Sequence, residues 1–307
     1  MMQIDVVGLG ASTVDVLTLV DHLPAEDEVL RAIDISVQGG GPVATAIVTL
    51  ARLGASAAMI DTIGDDWRGA LIRDEFQREG VSVEYLKSGK GWTSSTSCIL
   101  VKKDNGARSI VWLPGTAPEF ISSDLPRSAI ASAKILHLNG RHWEACLAAA
   151  RIAREAGVQV SFDGGAGRYR AELRQLVPLT DICIVARDFA EKYTQESDIA
   201  KAAEALLSSG PGLVVITDGT RGSWVHSRAG RSFHQPAYLL PQVVDTTGCG
   251  DSYHGAFLFG VLKGFDLEKT AALASAVAAL NSQRLGGRSG LPSYEQVDSF
   301  LGATGSV

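Results

Sequence analysis

The sequence predicts an α/β protein of three layers, in which helices cover both faces of a parallel β-sheet and a small antiparallel β-sheet forms a lid. Two observations favour this fold class. Strand-like and helix-like segments alternate along most of the 307 residues, and such alternation is typical of a parallel sheet covered by helices. Two segments, 13–38 and 93–113, instead alternate apolar and polar residues, which predicts antiparallel strands.

The elements of the main sheet follow from local sequence. The predicted strands are short apolar runs, and the predicted helices are longer segments bounded by typical residues, such as Pro42 near the first turn of one helix and Gly54 at its end. Strands are predicted at 3–10, 56–64, 133–140, 158–165, 181–186, 212–219 and 242–245. Helices are predicted at 42–54, 65–80, 144–156, 200–207, 251–262 and 267–281. The tail after Phe300 is expected to be irregular.

The lid is predicted from the two segments that lack helical periodicity. The second contains "KDNGAR" at 103–108, and an Asn-Gly turn between two β-runs is a strong hairpin signal. Both segments follow strands of the main sheet, so we expect one small sheet over its carboxyl edge. The predicted division is an α/β domain of residues 1–12, 39–92 and 114–307 with a β lid of residues 13–38 and 93–113.

Composition narrows the class of protein. The 28 basic and 34 acidic residues give a formal charge of −6, which argues against a nucleic-acid partner because such a partner needs a basic face. The four cysteines show no CxxC pair, which favours free thiols over a disulfide framework or a zinc site. The apolar run "ALASAVAAL" is too short to span a bilayer. We therefore expect a cytoplasmic protein with no membrane partner.

The stretch "VVDTTGCGDSYHGAF" at 243–257 is the main functional signal. Glycines allow a tight turn and close approach of a ligand, and a helix N-terminus leaves amides unpaired. The amides of Gly248, Cys249 and Gly250 are predicted to form an anion hole for phosphoryl oxygens. Asp251 beside them is predicted to be the base that accepts the proton of an attacking hydroxyl. Its pKa is expected to be lowered by the helix N-terminus; the alternative interpretation is an ordinary helix start after a turn.

This stretch resembles the second signature of the PfkB-type, ribokinase-like carbohydrate kinases, with Cys249 where alanine is usual. "GGGPVATAIVTLARLG" at 39–54 is similar to the first signature of that family. The resemblance implies a ribokinase-like three-layer αβα sandwich, ATP and Mg²⁺ as cofactors, and Asp251 as the catalytic base. Among the branches of the family, the motifs are closest to the sulfofructose kinase-like branch.

The resemblance also implies ligand-binding residues. Asp15, Gly40 and Gly41 match sugar-contacting positions, and Thr45 stands where the family has an asparagine. The predicted nucleotide-binding residues are Thr217, Gly219, Gly222 and Ser275. Arg141 is a candidate on other grounds, because it follows a predicted strand of the sheet, where ligands of α/β proteins gather. It either clamps an anionic group of the substrate or is a surface arginine near a helix start.

Cation sites are implied by the same resemblance. Asp245 and Thr247 match ligands of a monovalent cation, so K⁺ is a possible cofactor. The family motif that orders Mg²⁺ is replaced by "VARDFAEKYT" at 185–194. Glu191 is the predicted magnesium-linked residue, with Arg187 and Asp188 as the alternatives.

The predicted function is an ATP-dependent sugar kinase that transfers the γ-phosphate to a primary hydroxyl of a ketose or ribose-like sugar. The alternatives are a nucleoside or other small-alcohol kinase of the same fold, or a non-catalytic sugar-binding regulator. The predicted partners are a small sugar and a second copy of the chain, because exposed edges of the lid sheet are natural pairing sites for a homodimer.

Overall fold

The computed structural model describes residues 4–304. It contains thirteen strands and nine α-helices within that range. The strands are β1 (Val6–Leu9), β2 (Thr13–Val20), β3 (Asp34–Gly40), β4 (Ala57–Gly64), β5 (Leu86–Gly89), β6 (Ser95–Lys102), β7 (Arg108–Leu113), β8 (Ile135–Leu138), β9 (Gln159–Gly164), β10 (Ile182–Ala186), β11 (Leu213–Thr217), β12 (Ser223–Ser227) and β13 (Ser232–Gln235). The helices are α1 (Pro42–Arg52), α2 (Trp67–Arg78), α3 (Arg127–Ser132), α4 (Trp143–Glu155), α5 (Arg187–Thr194), α6 (Ile199–Ser208), α7 (Cys249–Leu262), α8 (Leu267–Asn281) and α9 (Tyr294–Thr304).

Nine strands form the main sheet, in the order β13-β12-β11-β10-β9-β8-β1-β4-β5. All neighbours from β11 to β5 run parallel, whereas β12 and β13 extend the sheet as antiparallel strands. The central strand β1, VVGL, is buried throughout, as expected for a parallel strand covered on both faces.

Two apolar cores lie on the two faces of this sheet. One packs α1, α2, α7, α8 and α9 against side chains such as Ile184 and Val215. The other packs α3, α4, α5 and α6 against the opposite side chains of the same strands, such as Cys183 and Val214. This alternation along β10 and β11 gives three layers. Aspartates begin three of the helices: the Asp66, Asp198 and Asp266 carboxylates accept amide hydrogen bonds from the first turns of α2, α6 and α8.

The second sheet has four strands in the order β3-β2-β6-β7. The pairs β2–β3 and β6–β7 are antiparallel, as predicted, but β2 and β6 pair in parallel. A small apolar cluster that includes Leu17 and Ile99 joins this sheet to Leu285. We propose that this sheet is the lid and keep the predicted domain division; residues 1–3 and 305–307 of it lie outside the described residues.

Two local predictions are wrong. Residues 242–245 are not a strand, because the amides of Val244 and Asp245 donate to the Ser282 carbonyl at the end of α8 rather than to a neighbouring strand. The tail after Phe300 is not irregular up to residue 304, because α9 continues there and buries Leu301. Residues 187–194, for which no element was predicted, form α5.

In residues 4–304 no helix combines the length and the apolar character that crossing a bilayer requires.

Candidate active site

The glycine-rich turn leads directly into α7. Gly248 has a φ of 71°, and a Cβ atom there would lie 2.6 Å from the Cα of Gly287, so only glycine fits. Within residues 4–304 the amides of Gly248, Gly250 and Asp251 make no hydrogen bond, as expected for the first turn of a helix. The amide of Cys249 differs, because it donates to the Thr246 carbonyl over a long 3.4 Å. Free amides and an exposed Gly250 together leave room for an anion.

Asp251 is the third residue of α7 and is half-buried. Burial raises the pKa of its carboxyl, and the negative charge of Asp163 raises it further, whereas the charge of Arg168 acts in the opposite direction. The expected lowering of this pKa by the helix N-terminus is therefore wrong, because loss of water outweighs the helix dipole. A raised pKa makes the carboxylate a stronger proton acceptor than an ordinary aspartate.

The predicted role of Cys249 in the anion hole depends on its main chain rather than on its sulfur. Burial raises the pKa of its thiol to about 12, so the sulfur remains protonated and weakly nucleophilic at neutral pH. The thiol is tolerated at a position where a small side chain is needed.

The four-stranded sheet contributes a second aspartate. Asp15 on β2 is 7% exposed and accepts a hydrogen bond of 2.8 Å from the Thr13 hydroxyl. Burial raises the pKa of Asp15, and the charge of Asp251 adds to that effect. A Cβ atom on Gly40 would lie 2.0 Å from the Asp15 carboxylate, so the glycine is needed to seat Asp15. Gly41, with a φ of 95°, begins α1.

Thr45 is buried and hydrogen-bonded to protein, and its role in substrate binding stays a prediction. It is 2% exposed, and its hydroxyl accepts a hydrogen bond of 3.1 Å from Nε of Arg288. Arg288 is itself buried and donates to Oε1 of Glu75 at 2.9 Å and to the Gly40 carbonyl at 2.8 Å. The Glu75 carboxylate also accepts the Gly39 amide at 2.5 Å. Thr45 therefore belongs to a buried polar network that holds the base of the lid, at Gly39 and Gly40, in place.

This network is continued by the lid residue Gln38. Its Oε1 accepts the Arg288 amide at 3.0 Å, and its Nε2 donates to the Ser289 hydroxyl at 3.1 Å. Nothing in the sequence around Arg288, a charged residue in the loop "RLGGRSG", signals that it is buried. Its partner Glu75 is 213 residues away in the chain, so the sequence analysis missed both.

Arg141 precedes α4 and is half-exposed, with its Nη1 3.3 Å from Oε1 of Glu119. No contact joins it to Asp251 or Asp15 in residues 4–304, so its role in substrate binding stays a prediction. The next residue, His142, is buried with a φ of 56°. Its Nδ1 accepts the Phe120 amide at 3.0 Å, so Nε2 donates to Asp61 at 2.7 Å.

The predicted nucleotide-side residues surround the turn between β11 and β12. Thr217 ends β11, and Gly219 and Gly222 have φ values of 56° and 89°. A Cβ atom on Gly222 would lie 2.1 Å from the Gln235 carbonyl oxygen, so this turn requires glycine. Ser275 on α8 is buried, and its hydroxyl donates to the Pro236 carbonyl at 3.3 Å. The structure therefore gives Ser275 a packing contact near the turn.

Asp245 and Thr247 are the predicted ligands of a monovalent cation, and this assignment stays a prediction. The Asp245 carboxylate accepts the amides of Thr247 and Gly286, each at 2.8 Å. The Thr247 hydroxyl oxygen and the side-chain oxygen of Asn281 are buried without a hydrogen-bond partner in the described part of the chain. Unpaired oxygens of this kind are the ligands that K⁺ takes.

Glu191 does not fit a magnesium site in this arrangement. Its Oε1 accepts a hydrogen bond of 2.7 Å from Arg187, and Arg187 also contacts Asp218 at 3.1 Å. The alternative, Asp188, pairs with Lys192 at 2.7 Å, and this contact lowers its pKa. Both carboxylates are thus neutralised by side chains of the same helix.

Arg108 is a candidate functional residue that the sequence analysis missed. It begins β7 at the end of the lid hairpin, and its Nη1 donates to the Thr246 hydroxyl at 3.0 Å. Its charge opposes the rise in pKa at both Cys249 and Asp251. The lid hairpin therefore places a positive charge in contact with Thr246, two residues before Gly248, and Arg168 lies 3.7 Å from Asp163. The position of Arg108 just after the Asn-Gly turn was the one feature of the sequence that could have indicated this role.

Asp163, at the carboxyl end of β9, is joined by two histidines on the same face of the sheet. His137 on β8 and His254 on α7 are fully buried, and burial lowers the pKa of His137 to about 3 and of His254 to about 4. Both imidazoles are therefore neutral at pH 7. His137 is not among the residues that the sequence analysis singled out.

A separate cavity of about 430 Å³ lies at the opposite edge of the main sheet, where β10 and β11 begin. Its lining includes Ile182, Leu213 and Arg228. It is remote from Asp251, which faces the carboxyl ends of the strands, where ligands of open α/β sheets bind.

Comparison with known proteins agrees with this geometry. Residues 3–293 match the family model described as pfkB family carbohydrate kinase. An uncharacterized sugar kinase of Archaeoglobus fulgidus is 31% identical over 79% of this chain and 98% of its own. An ATP-dependent ribose-1-phosphate kinase of Halopiger xanaduensis is 28% identical over 97% and 98%. A crystal structure of a putative ribokinase from Agrobacterium tumefaciens superposes with a TM-score of 0.90 at 22% identity, covering 99% of each chain. The predicted fold class is confirmed.

Proposed function

Because this chain belongs to the pfkB family of carbohydrate kinases, we propose that it transfers the γ-phosphate of ATP to a primary hydroxyl of a ketose or ribose-like sugar, with Asp251 as the base. The predicted family and enzyme class are confirmed, since the family model matches residues 3–293 and the curated relatives include a sugar kinase and a ribose-1-phosphate kinase. The finer resemblance to the sulfofructose kinase-like branch stays a prediction.

One observation carries the proposal: a proton-accepting carboxyl lies beside free main-chain amides. Asp251 and the amides of Gly248 and Gly250 belong to the same turn. Amides of this kind are preorganised donors for the oxygens of a transferring phosphoryl group. The raised pKa of Asp251 suits a group that must accept a proton from an alcohol.

The positive charges around the turn support a nucleotide phosphate as the anion. Arg108 approaches from the lid and Arg168 from the end of β9, and both charges act on Asp251. The relative from Halopiger xanaduensis is named as ATP-dependent, which supports ATP as the donor. When bound, Mg²⁺ neutralises the phosphate charges. Since the acids of α5 are already paired, we propose that it enters with the nucleotide.

The lid side supports an alcohol as the acceptor. Asp15 is buried, electrostatically coupled to Asp251, and seated against Gly40. A carboxylate in such a position can accept hydrogen bonds from two sugar hydroxyls. We propose that Asp15 and the main chain at Gly40 and Gly41 orient the sugar so that one further hydroxyl points towards Asp251.

The reaction follows from this placement. The acceptor hydroxyl gives its proton to the Asp251 carboxylate as its oxygen bonds to the γ-phosphorus, and the bond from phosphorus to the leaving oxygen of ADP breaks. The amides of the turn and the two arginines stabilise the charge on the phosphoryl oxygens. Closure of the lid excludes water, which would otherwise compete as the acceptor.

The lid also supports a homodimer. Strand β7 is an edge strand, and all six of its residues are exposed, including Val111 and Trp112. An exposed apolar edge strand is a template for pairing with another chain. We expect a dimer by light scattering after size-exclusion chromatography, and a monomer at all concentrations would oppose this part of the proposal.

The decisive experiment measures ADP release with ATP, Mg²⁺ and a panel of ketoses, riboses and nucleosides. Sugar-dependent ADP is expected for the wild-type chain and should fall by at least about 10³-fold in Asp251→Asn, since that change removes both the base and its charge. The matched control is Asp298→Asn, an exposed aspartate on α9, which should retain wild-type rates.

The same assay separates the alternatives. Activity restricted to nucleosides would make the chain a nucleoside kinase. A sugar that raises the melting temperature with no ADP from any acceptor would make it a binding protein and would refute the kinase proposal.

A further inference from the structure

A cluster of three buried side chains lies beneath the turn that carries Asp251. His137 is on β8, Asp163 ends β9 and His254 is on α7, and their side chains share the face of the sheet that α7 covers. His137 is 0% exposed, Asp163 2% and His254 3%. Each offers one ligand atom, and the three atoms lie within 4.8 Å of one another.

The polar atoms of this cluster lack partners. Nε2 of His137, both carboxylate oxygens of Asp163 and Nδ1 of His254 are buried and make no hydrogen bond in the described part of the chain. The contacts of Asp163 with His254 and with Arg168 are each 3.7 Å, beyond hydrogen-bond distance. Buried unpaired atoms are rare and indicate an unseen water or ion. Nε2 is the His254 nitrogen nearest to Asp163, and one ligand atom of each residue lies within 4.8 Å of the others, so the unpaired atoms of His137 and Asp163 indicate a shared occupant.

We propose that His137, Asp163 and His254 hold a divalent transition-metal ion, for which Zn²⁺ is the natural probe. Two neutral imidazoles and one carboxylate are a common ligand set for such ions, whereas Mg²⁺ takes oxygen ligands. Metal–ligand bonds of about 2.0–2.2 Å require each side chain to move inwards by less than about 1 Å. The ion supplies a partner for the Asp163 carboxyl, which is 2% exposed.

The surroundings of His137 match those of a ligand. Its Nδ1 lies 3.2 Å from the Ser161 hydroxyl on the neighbouring strand. When that nitrogen donates to Ser161, Nε2 carries a lone pair directed into the cluster, which is how outer partners orient metal-binding histidines. The ion joins α7 to β8 and β9, so its role is structural: it fixes the helix on which Asp251 lies.

The first test is metal binding by the full-length chain after treatment with EDTA. Zn²⁺ is titrated by calorimetry in the absence of nucleotide, and Co²⁺ is followed by its visible absorption. One ion per chain is expected, with the intense absorption of a low-coordinate nitrogen and oxygen site. In His137→Gln and in Asp163→Asn the affinity should fall by at least about 10-fold to 100-fold.

The matched control is His22→Gln, because this exposed histidine pairs with Glu28 at 2.8 Å and is a source of surface binding. The control should bind as the wild type does. Equal affinity in wild type and Asp163→Asn, or loss of binding in His22→Gln alone, overturns the proposal.

The second test does not depend on variants folding. Crystals soaked in Zn²⁺ are measured at the zinc absorption edge. An anomalous peak between the three side chains supports the site. A peak only elsewhere, or ordered water between these side chains at saturating Zn²⁺, overturns it. Neither test measures phosphorylation, so failure of the kinase assay does not change the result of either metal-binding test.

Discussion

Replacement of Arg288 by methionine should be the most costly single change near the site. The Arg288 side chain is 3% exposed and that of Glu75 10%, and methionine keeps most of the length of arginine without its charge. Removing one member of a buried ion pair costs about 3–5 kcal/mol, because the other charge stays buried and unpaired. At about 2 °C per kcal/mol for a chain of this size, the melting temperature should fall by about 6–10 °C.

A double-mutant cycle tests this reasoning. Melting temperature and urea midpoint are measured for Arg288→Met, Glu75→Gln and the double variant. The double variant should be clearly more stable than the sum of the single changes predicts, with a coupling of about 1–3 kcal/mol. The control is Lys192→Met, whose pair with Asp188 is 53% and 41% exposed and is worth about 0.3–0.5 kcal/mol. Equal losses in Arg288→Met and Lys192→Met, or strict additivity, would refute the importance of this network.

Three further predictions concern the site itself. Because burial raises the pKa of Asp251, the folded chain binds a proton there more readily than the unfolded chain. The stability of the fold therefore decreases as pH rises from about 4 through the pKa of the folded state. At neutral pH, Asp251→Asn should melt at a higher temperature than the wild type while losing activity. An unchanged or lower melting temperature would contradict this. Arg108→Met should raise the KM for ATP by about 10-fold through loss of a charge next to the amides, whereas Arg31→Met, on the exposed part of the lid, should not; equal effects would contradict a phosphate contact. Gly40→Ala should raise the KM for the sugar by about 10-fold or more, because a Cβ atom would lie 2.0 Å from the Asp15 carboxylate, and wild-type KM would show that Asp15 does not hold the sugar.

The fold was predictable because its signals are local. Buried runs such as β1 and β10, the Asn-Gly hairpin and the glycine-bounded helix α1 each carry their pattern within a few residues. The failures occurred where a distant partner decides the structure. Residues 242–245 have the composition of a strand but bond to the end of α8, and no local pattern contains that contact.

The site was predictable to the extent that it is a sequence motif. The turn around Asp251 and the lid residue Asp15 came from motifs, and the charge of Asp251 contributes to the raised pKa of Asp15. The raised pKa of Asp251, the pairing of Arg288 with Glu75 and the cluster around Asp163 arise from side chains on separate elements. Burial, which reverses the expected shift at Asp251, is a property of the packed chain and has no signature within "TTGCGD".

The attachment of Gln38 and Arg288 has a consequence for the order in which ligands act. These residues join the base of the lid to the loop 285–289 beside the start of α7. A ligand that repositions either part must shift the other, so occupancy on one side changes affinity on the other, and thermodynamic reciprocity makes the effect equal in both directions. We therefore expect synergy between donor and acceptor. If either ligand can bind first, the dissociation constant of each should decrease when the other is present.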